Sequence, residues 1–268
     1  MILASATPVG TALGLAAAAA YALPALLGRR VGDGARRPVL LAAWLLHAAV
    51  LMWSLLGQQP RFGFGPALSV TAWLVLTVYA VEVRLYPRMR ARWALAGLGA
   101  VAVLLAWVFP GSELHVRASP WLPLHLALGI ASYGLFAAAL VHAGLMRRAE
   151  KQMRLASGAD PQAGMPLLML ERLTFRFVAA GFVLLTATLV AGFFFGETLY
   201  GQAWRWNHKA VFSVLSWLTF AVLLGGRARF GWRGRTARRV LYAGSVLLLL
   251  AYVGSRFVLE VVLGRGAP

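Results

Sequence analysis

The sequence predicts an all-α integral membrane protein, a bundle of about eight transmembrane helices with both termini on the non-cytoplasmic side. Three observations predict it: a composition too apolar for water, eight long apolar runs, and basic residues gathered in alternate connections. The chain is 60% hydrophobic and 13% charged, with a mean hydropathy of +0.73. Soluble domains are about 45–50% apolar and about 25% charged. A soluble fold has no interior large enough for that excess, so lipid must solvate part of the surface.

A spanning helix takes roughly 20 mostly apolar residues. The first run, about 8–28, is rich in Ala and Leu and ends at Arg29 and Arg30. The residues before it, Met1 to Thr7, lack the basic n-region of a signal peptide, so this run is expected to stay as a helix. The second run, about 38–57, follows Arg36 and Arg37 and carries His47 near its middle. The third, about 66–85, leads into Arg88, Arg90 and Arg92. The fourth, about 92–109, is short. The fifth, about 121–146, opens on Trp121 and closes before Arg147 and Arg148. The longest connection follows, about 147–174, with a polar stretch Ser157-Gly158-Ala159-Asp160-Pro161 and then an amphipathic segment from Met165 to Leu173. The sixth, seventh and eighth runs cover about 175–196, 208–226 and 239–262. All are unbroken rather than alternating, which argues against barrel strands. The organisation read from this is a single membrane domain over 1–268, with four N-terminal helices in 1–110. No internal repeat is evident, which weakens a transporter built from inverted halves.

Orientation follows from the basic residues. Twenty of the 26 Lys and Arg lie after the first, third, fifth and seventh runs: Arg29, Arg30, Arg36, Arg37; Arg84, Arg88, Arg90, Arg92; Arg147, Arg148, Lys151, Arg154, Arg172, Arg176; and Arg227, Arg229, Arg233, Arg235, Arg238, Arg239. The opposite side has Arg61, Arg117, Arg205, Lys209 and Arg265. The positive-inside rule places the rich side in the cytoplasm. The same distribution removes nucleic acid as a reading of the +18 net charge, because topology alone puts these arginines in short loops. Trp53, Trp107, Trp121, Trp204 and Trp206 fall at the outer boundary, with Trp44 and Trp93 toward the inner one, as aromatic belts do.

The chain has no cysteine, which excludes a disulfide, a thiol nucleophile and sulfur ligation of iron or zinc. No catalytic constellation is present in its place. Five histidines remain, and depth sorts them. His47 lies near mid-membrane, His115 in the outer connection between the fourth and fifth runs, and His125 in the first turn of the fifth. His142 is 17 residues further along, roughly 25 Å toward the cytoplasm. His208 begins the seventh run on the outer side. Two axial imidazoles on one haem iron must share a depth, which excludes His125 with His142 and permits His125 with His208, or His115 with either. Imidazole is also the commonest metal ligand generally, and an interfacial His is often an ordinary amphipathic side chain. His47 can equally make a helix–helix hydrogen bond. In the eighth run, Arg256 and Glu260 stand at i,i+4 and can pair along one face.

The stretch Trp204-Arg205-Trp206-Asn207-His208-Lys209 places two indoles among cationic groups at the outer surface. Such a platform suits a flat, apolar dianion, with rings on rings and Arg205 or Lys209 on carboxylates; an interfacial belt gives the same residue types. It also resembles the tryptophan-rich "WGWDPK" signature of CcsA-type cytochrome c assembly proteins. Three further segments carry the resemblance. Trp121-Leu122-Pro123-Leu124-His125-Leu126, running on to Ser132-Tyr133-Gly134, resembles the family's "WLxxHV…SY" segment. Met165-Pro166-Leu167 with Leu170-Glu171-Arg172-Leu173 resembles its "LPSLxxLDxLxYR" loop, and Gly231-Trp232-Arg233-Gly234-Arg235 its "GWRGR" loop. The motifs span about 120–239, in a family-like region of 120–262. Ala251-Tyr252-Val253-Gly254-Ser255-Arg256, with the central His47, resembles the YpjD branch.

The resemblance implies haem handling in cytochrome c maturation at the outer face of a bacterial inner membrane, without independent catalysis. His125 is the implied axial ligand to haem b, held or in transit. Trp204 and Trp206 are the implied platform, and Arg205 and Lys209 the implied propionate contacts. Implied partners are the lipid bilayer, an apocytochrome c that brings its own thiols, and another assembly membrane protein. The signature's Asp is Asn207 here and its Pro is His208. The family's second outward His has no counterpart at Gly264-Arg265-Gly266, and its inner His none at Leu223-Leu224-Gly225. His208 or His115 is then the expected replacement for the outer ligand, and His47 for the intramembrane one. The rival readings are a haem-free scaffold subunit of another membrane complex and a small-solute transporter.

Overall fold

The computed structural model describes residues 8–27, 33–56, 61–85, 93–113, 121–155, 167–200 and 204–264. Every apolar run is helical. In chain order the elements are α1 (Pro8–Leu27), α2 (Asp33–Leu56), β1 (Arg61–Phe62), α3 (Phe64–Leu85), α4 (Trp93–Val108), β2 (Ser112–Glu113), α5 (Leu122–Leu155), α6 (Leu167–Phe194), the short α7 (Gly196–Tyr200), α8 (His208–Phe230) and α9 (Gly234–Leu249). The last helix continues through a π-helical turn (Leu250–Gly254), α10 (Ser255–Phe257) and a second π turn (Val258–Val262).

Among the described residues, six helices are long and apolar enough to cross a membrane: Pro38–Leu55, Phe64–Glu82, Leu122–Lys151, Leu167–Phe194, His208–Phe230 and Gly234–Val262. The first and fourth runs form shorter apolar helices, Pro8–Pro24 and Ala96–Val108. At 1.5 Å per residue these apolar stretches span about 20–25 Å, against about 30 Å of hydrocarbon, although α1 as a whole, 20 residues long, reaches about 30 Å. The protein is therefore a multi-pass membrane protein, with six helices among the described residues that can span by length and composition.

The chain divides into two compact units, residues 1–77, 91–115 and 252–268 in the first and residues 78–90 and 116–251 in the second. In the first unit α1 packs against both α2 and α4. Its interior holds Ala17, Tyr21, Ala43, Val103 and the polar His47 and Ser69, all with almost no exposed surface. Trp44 and Trp73 stack at 5.0 Å, and the Trp44 indole N–H donates to Thr77 Oγ1 at 2.8 Å. β1 and β2 pair antiparallel with Arg61 opposite Glu113, a two-residue ladder too short to leave a period-two signal in the sequence.

In the second unit four helices touch in the cyclic order α5, α6, α8, α9 and back to α5. Phe136 of α5 and Phe220 of α8 stack at its centre with ring centroids 3.8 Å apart, among Ala139, Val178, Leu185 and Leu223. Several hydroxyls and indoles are matched across helices, as hydrocarbon surroundings favour. Trp217 Nε1 donates to Thr186 Oγ1 at 2.8 Å and Ser216 Oγ to the Gly244 carbonyl at 2.9 Å. The Tyr133 hydroxyl donates to the carbonyl of Leu248, just before the first π turn. At the arginine-rich end Glu171 receives Arg227 at 2.6 Å and Arg233 at 3.4 Å, and Glu150 receives Arg238 at 3.2 Å.

Candidate functional site

Three aromatic side chains meet at the tryptophan end of the second unit. His125 lies in the first turn of α5, its backbone N–H bonded to the Trp121 carbonyl at 3.1 Å, so its ring leaves the helix at the very start. Gly192 lies buried near the end of α6. A Cβ placed on Gly192 would stand 3.5 Å from His125 Cε1 and 3.4 Å from Trp204 Cζ3. The absent side chain is thus where the imidazole and the indole converge. Trp204 meets Phe193 edge-on at 5.7 Å and Trp206 edge-on at 5.9 Å. Its Nε1 is buried with no hydrogen-bond partner among the described residues. Trp206 is 69% exposed, and Trp121, Phe193 and Phe194 also present large apolar surface.

Local sequence explains the placement of the Trp-rich stretch. Asn207 has extended backbone dihedrals (φ −92°, ψ 172°), and its Oδ1 accepts the Ala210 N–H at 3.0 Å, making it the N-cap of α8. Asp and Asn are comparable N-caps, and Pro is favoured at the next position because that N–H is unbonded in any helix. The Asn207 and His208 departures therefore fall on a cap and a first helical residue, and the cap is kept. Arg205 and His208 are exposed and Lys209 is half-buried. The other end of α8 closes on Gly231 in the left-handed region (φ 64°), with the Trp232 N–H reaching the Gly226 carbonyl.

The other histidines lie elsewhere. His47 is buried in the first unit, its Nε2 2.8 Å from Ser69 Oγ and its ring edge-on to Tyr21 at 5.7 Å. Its Nδ1 and the Tyr21 hydroxyl have no hydrogen-bond partner among the described residues. His115 lies outside the described residues. Arg256 and Glu260 of the first unit approach to 3.9 Å, and Arg256 also reaches Ser112 Oγ at 3.5 Å. No group of three or more His, Asp or Glu that could hold a metal ion occurs among the described residues.

One polar contact was not anticipated. His142 Nε2 lies 3.0 Å from Glu82 Oε2, and both side chains are at least nine-tenths buried. His142 reads from sequence as a tolerated interfacial side chain, and no motif marks Glu82. The signal was present: only Glu82 and Glu260 among the acids interrupt apolar runs, and carboxylates there are costly.

Comparison with known proteins agrees with these motifs. A family model described as cytochrome C assembly protein matches residues 35–263. The inner membrane protein YpjD of Escherichia coli (strain K12) is 31% identical over 253 residues, covering 91% of this chain and 94% of that protein. The cytochrome c biogenesis protein CcsA of Synechococcus sp. (strain RCC307) is 27% identical over 248 residues, covering 81% and 79%. CcsA of Synechococcus sp. (strain WH7803) is also 27% identical, with 90% of each chain covered. No solved structure matches the chain.

Proposed function

The chain belongs to the cytochrome C assembly protein family, and from that premise we propose that it serves cytochrome c biogenesis by holding or delivering haem at the non-cytoplasmic face. The observation that carries this reading is the meeting of His125 and Trp204 at Gly192, with Trp206 edge-on and exposed beside them. The donor set fits the cargo. Haem offers an iron that accepts an imidazole nitrogen, a flat apolar ring, and two carboxylates that accept charge-assisted hydrogen bonds. His125 is the proposed ligand, Trp204 and Trp206 the wall, and the exposed Arg205 with Lys209 the propionate partners. The buried Trp204 Nε1, which has no hydrogen-bond partner among the described residues, adds a donor to that wall. His208 is the proposed second outer imidazole, with His115 as its alternate. His47 is the proposed intramembrane one.

The proposal includes eight crossings with both termini outside, supported by the alternation of basic connections. A crossing by α4, 16 residues long, requires local thinning of the bilayer. Thioether formation on such a scaffold must use an apocytochrome's thiols, since this chain has none. The missing outer His at Gly264-Arg265-Gly266 favours one other reading, a haem-free scaffold of the same fold. Haem titration of the purified full-length protein separates them. Haem handling requires a Soret band that is lost in His125→Gly and restored by added imidazole. With a scaffold, the spectrum stays that of free haem at every haem concentration.

A further inference from the structure

We propose that Glu82 and His142 form a proton-binding site within the membrane-spanning part of the second unit, with water as the carrier of the proton it takes up and releases. Both residues lie in helices long and apolar enough to span, Glu82 at the end of the Phe64–Glu82 stretch and His142 within Leu122–Lys151. Side-chain exposure is 3% for His142 and 6% for Glu82. An ionisable pair in that setting is costly and marks a functional site more often than a structural one.

Hydrogen-bond chemistry fixes which atom exchanges the proton. His142 Nδ1 lies 2.8 Å from the Ala138 carbonyl oxygen, which only accepts, so Nδ1 carries a hydrogen and Nε2 is the nitrogen left to share a proton with the carboxylate. Nε2 faces Glu82 Oε2 at 3.0 Å. Two lone pairs repel at that distance, so one proton belongs to the pair, either on the carboxyl or on the imidazole. In both forms the pair is neutral overall. Release transfers that proton to water and leaves a carboxylate beside a neutral imidazole; uptake reverses the step.

The geometry also argues against a closed structural ion pair. Buried pairs that serve structure have their remaining lone pairs satisfied by further hydrogen bonds. Here Nε2 and both carboxylate oxygens lack an aligned hydrogen bond to the protein among the described residues. Buried polar atoms left this way are commonly bridged by water. Among the described residues, the nearby charged side chains are exposed or paired elsewhere. Phe177 of α6 packs on the imidazole at 5.2 Å. Arg84 of α3, Arg147 of α5 and Arg176 of α6 are exposed, while Glu171 of α6 and Glu150 of α5 are paired with arginines.

Infrared difference spectroscopy on the full-length protein in nanodiscs, stepped between two pH values, tests the proposal without reference to haem. The chain has only eight Asp and Glu side chains, so few of its own bands compete. The expected result is a carboxylic-acid carbonyl band that shifts in D2O, moves on 13C-labelling of glutamate in the wild-type protein, and is lost in Glu82→Gln. His142→Gln should displace the pH at which it appears. A wild-type spectrum with no exchangeable glutamic-acid band, or one unchanged in Glu82→Gln, overturns the proposal and leaves a fixed ion pair. The 13C arm stands even where a variant fails to fold.

Discussion

Asn207 Oδ1 holds the Ala210 N–H at 3.0 Å, so the residue that directly follows the exposed Trp206 is the cap that starts α8. The cap fixes where the Trp-rich stretch ends and where His208 and Lys209 begin to follow helical geometry. Loss of an Asn cap costs about 0.5–2 kcal/mol. Asn207→Ala is expected to lower the thermal midpoint of the detergent-purified protein, whereas Asn207→Asp keeps it. Equal loss in both variants would remove the capping explanation of the family's Asp position.

Gly192 makes a sharper test of the site. A single Cβ there stands at ordinary van der Waals distance from His125 and Trp204. Gly192→Ala is therefore expected to bind haem as the wild type does. Gly192→Leu overfills the point where the two rings meet, and overfilling costs about 1–3 kcal/mol. Haem affinity in titration should fall by about tenfold or more. Unchanged affinity in Gly192→Leu would move the site elsewhere.

Adjacent glycines near the end of α8 give opposite expectations. A Cβ on Gly226 would lie 2.4 Å from Trp232 Cε3, whereas nothing lies within 4 Å of one on Gly225. Gly225→Ala should gain up to about 1 kcal/mol of helix propensity. Gly226→Ala should displace Trp232 and lose about 1–3 kcal/mol. Thermal unfolding of the two variants reads the difference directly, and the same direction in both would contradict the contact.

The absence of native cysteine makes topology measurable without background. Glu197→Cys on α7 and Thr236→Cys on α9 both occupy exposed positions. A membrane-impermeant maleimide should label the first in intact cells and the second only after permeabilisation. The reverse pattern would invert the orientation and put the His125 site in the cytoplasm.

The runs were legible because a spanning helix is defined by length and hydropathy, properties a single sequence carries. Their ends were less so. α5 continues to Leu155 and α6 begins at Leu167, beyond the apolar limits, because Arg, Lys, Glu and Leu sustain a helix past the lipid boundary. His125, Trp204 and Trp206 were named from their motifs, but the residue that lets them meet, Gly192, is a small residue in an apolar run and carries no pattern of its own. The Glu82–His142 contact joins the third run to the fifth, a relation set by tertiary structure. The π turns around Arg256 likewise leave no periodic trace.

The absorption spectrum of the wild-type protein, purified in mild detergent from haem-replete cells beside His125→Ala, tests the haem proposal most directly. A Soret band in the wild type, absent from a His125→Ala protein with the same elution profile, is the predicted result. Colourless wild-type protein, or equal bands in both, would contradict it.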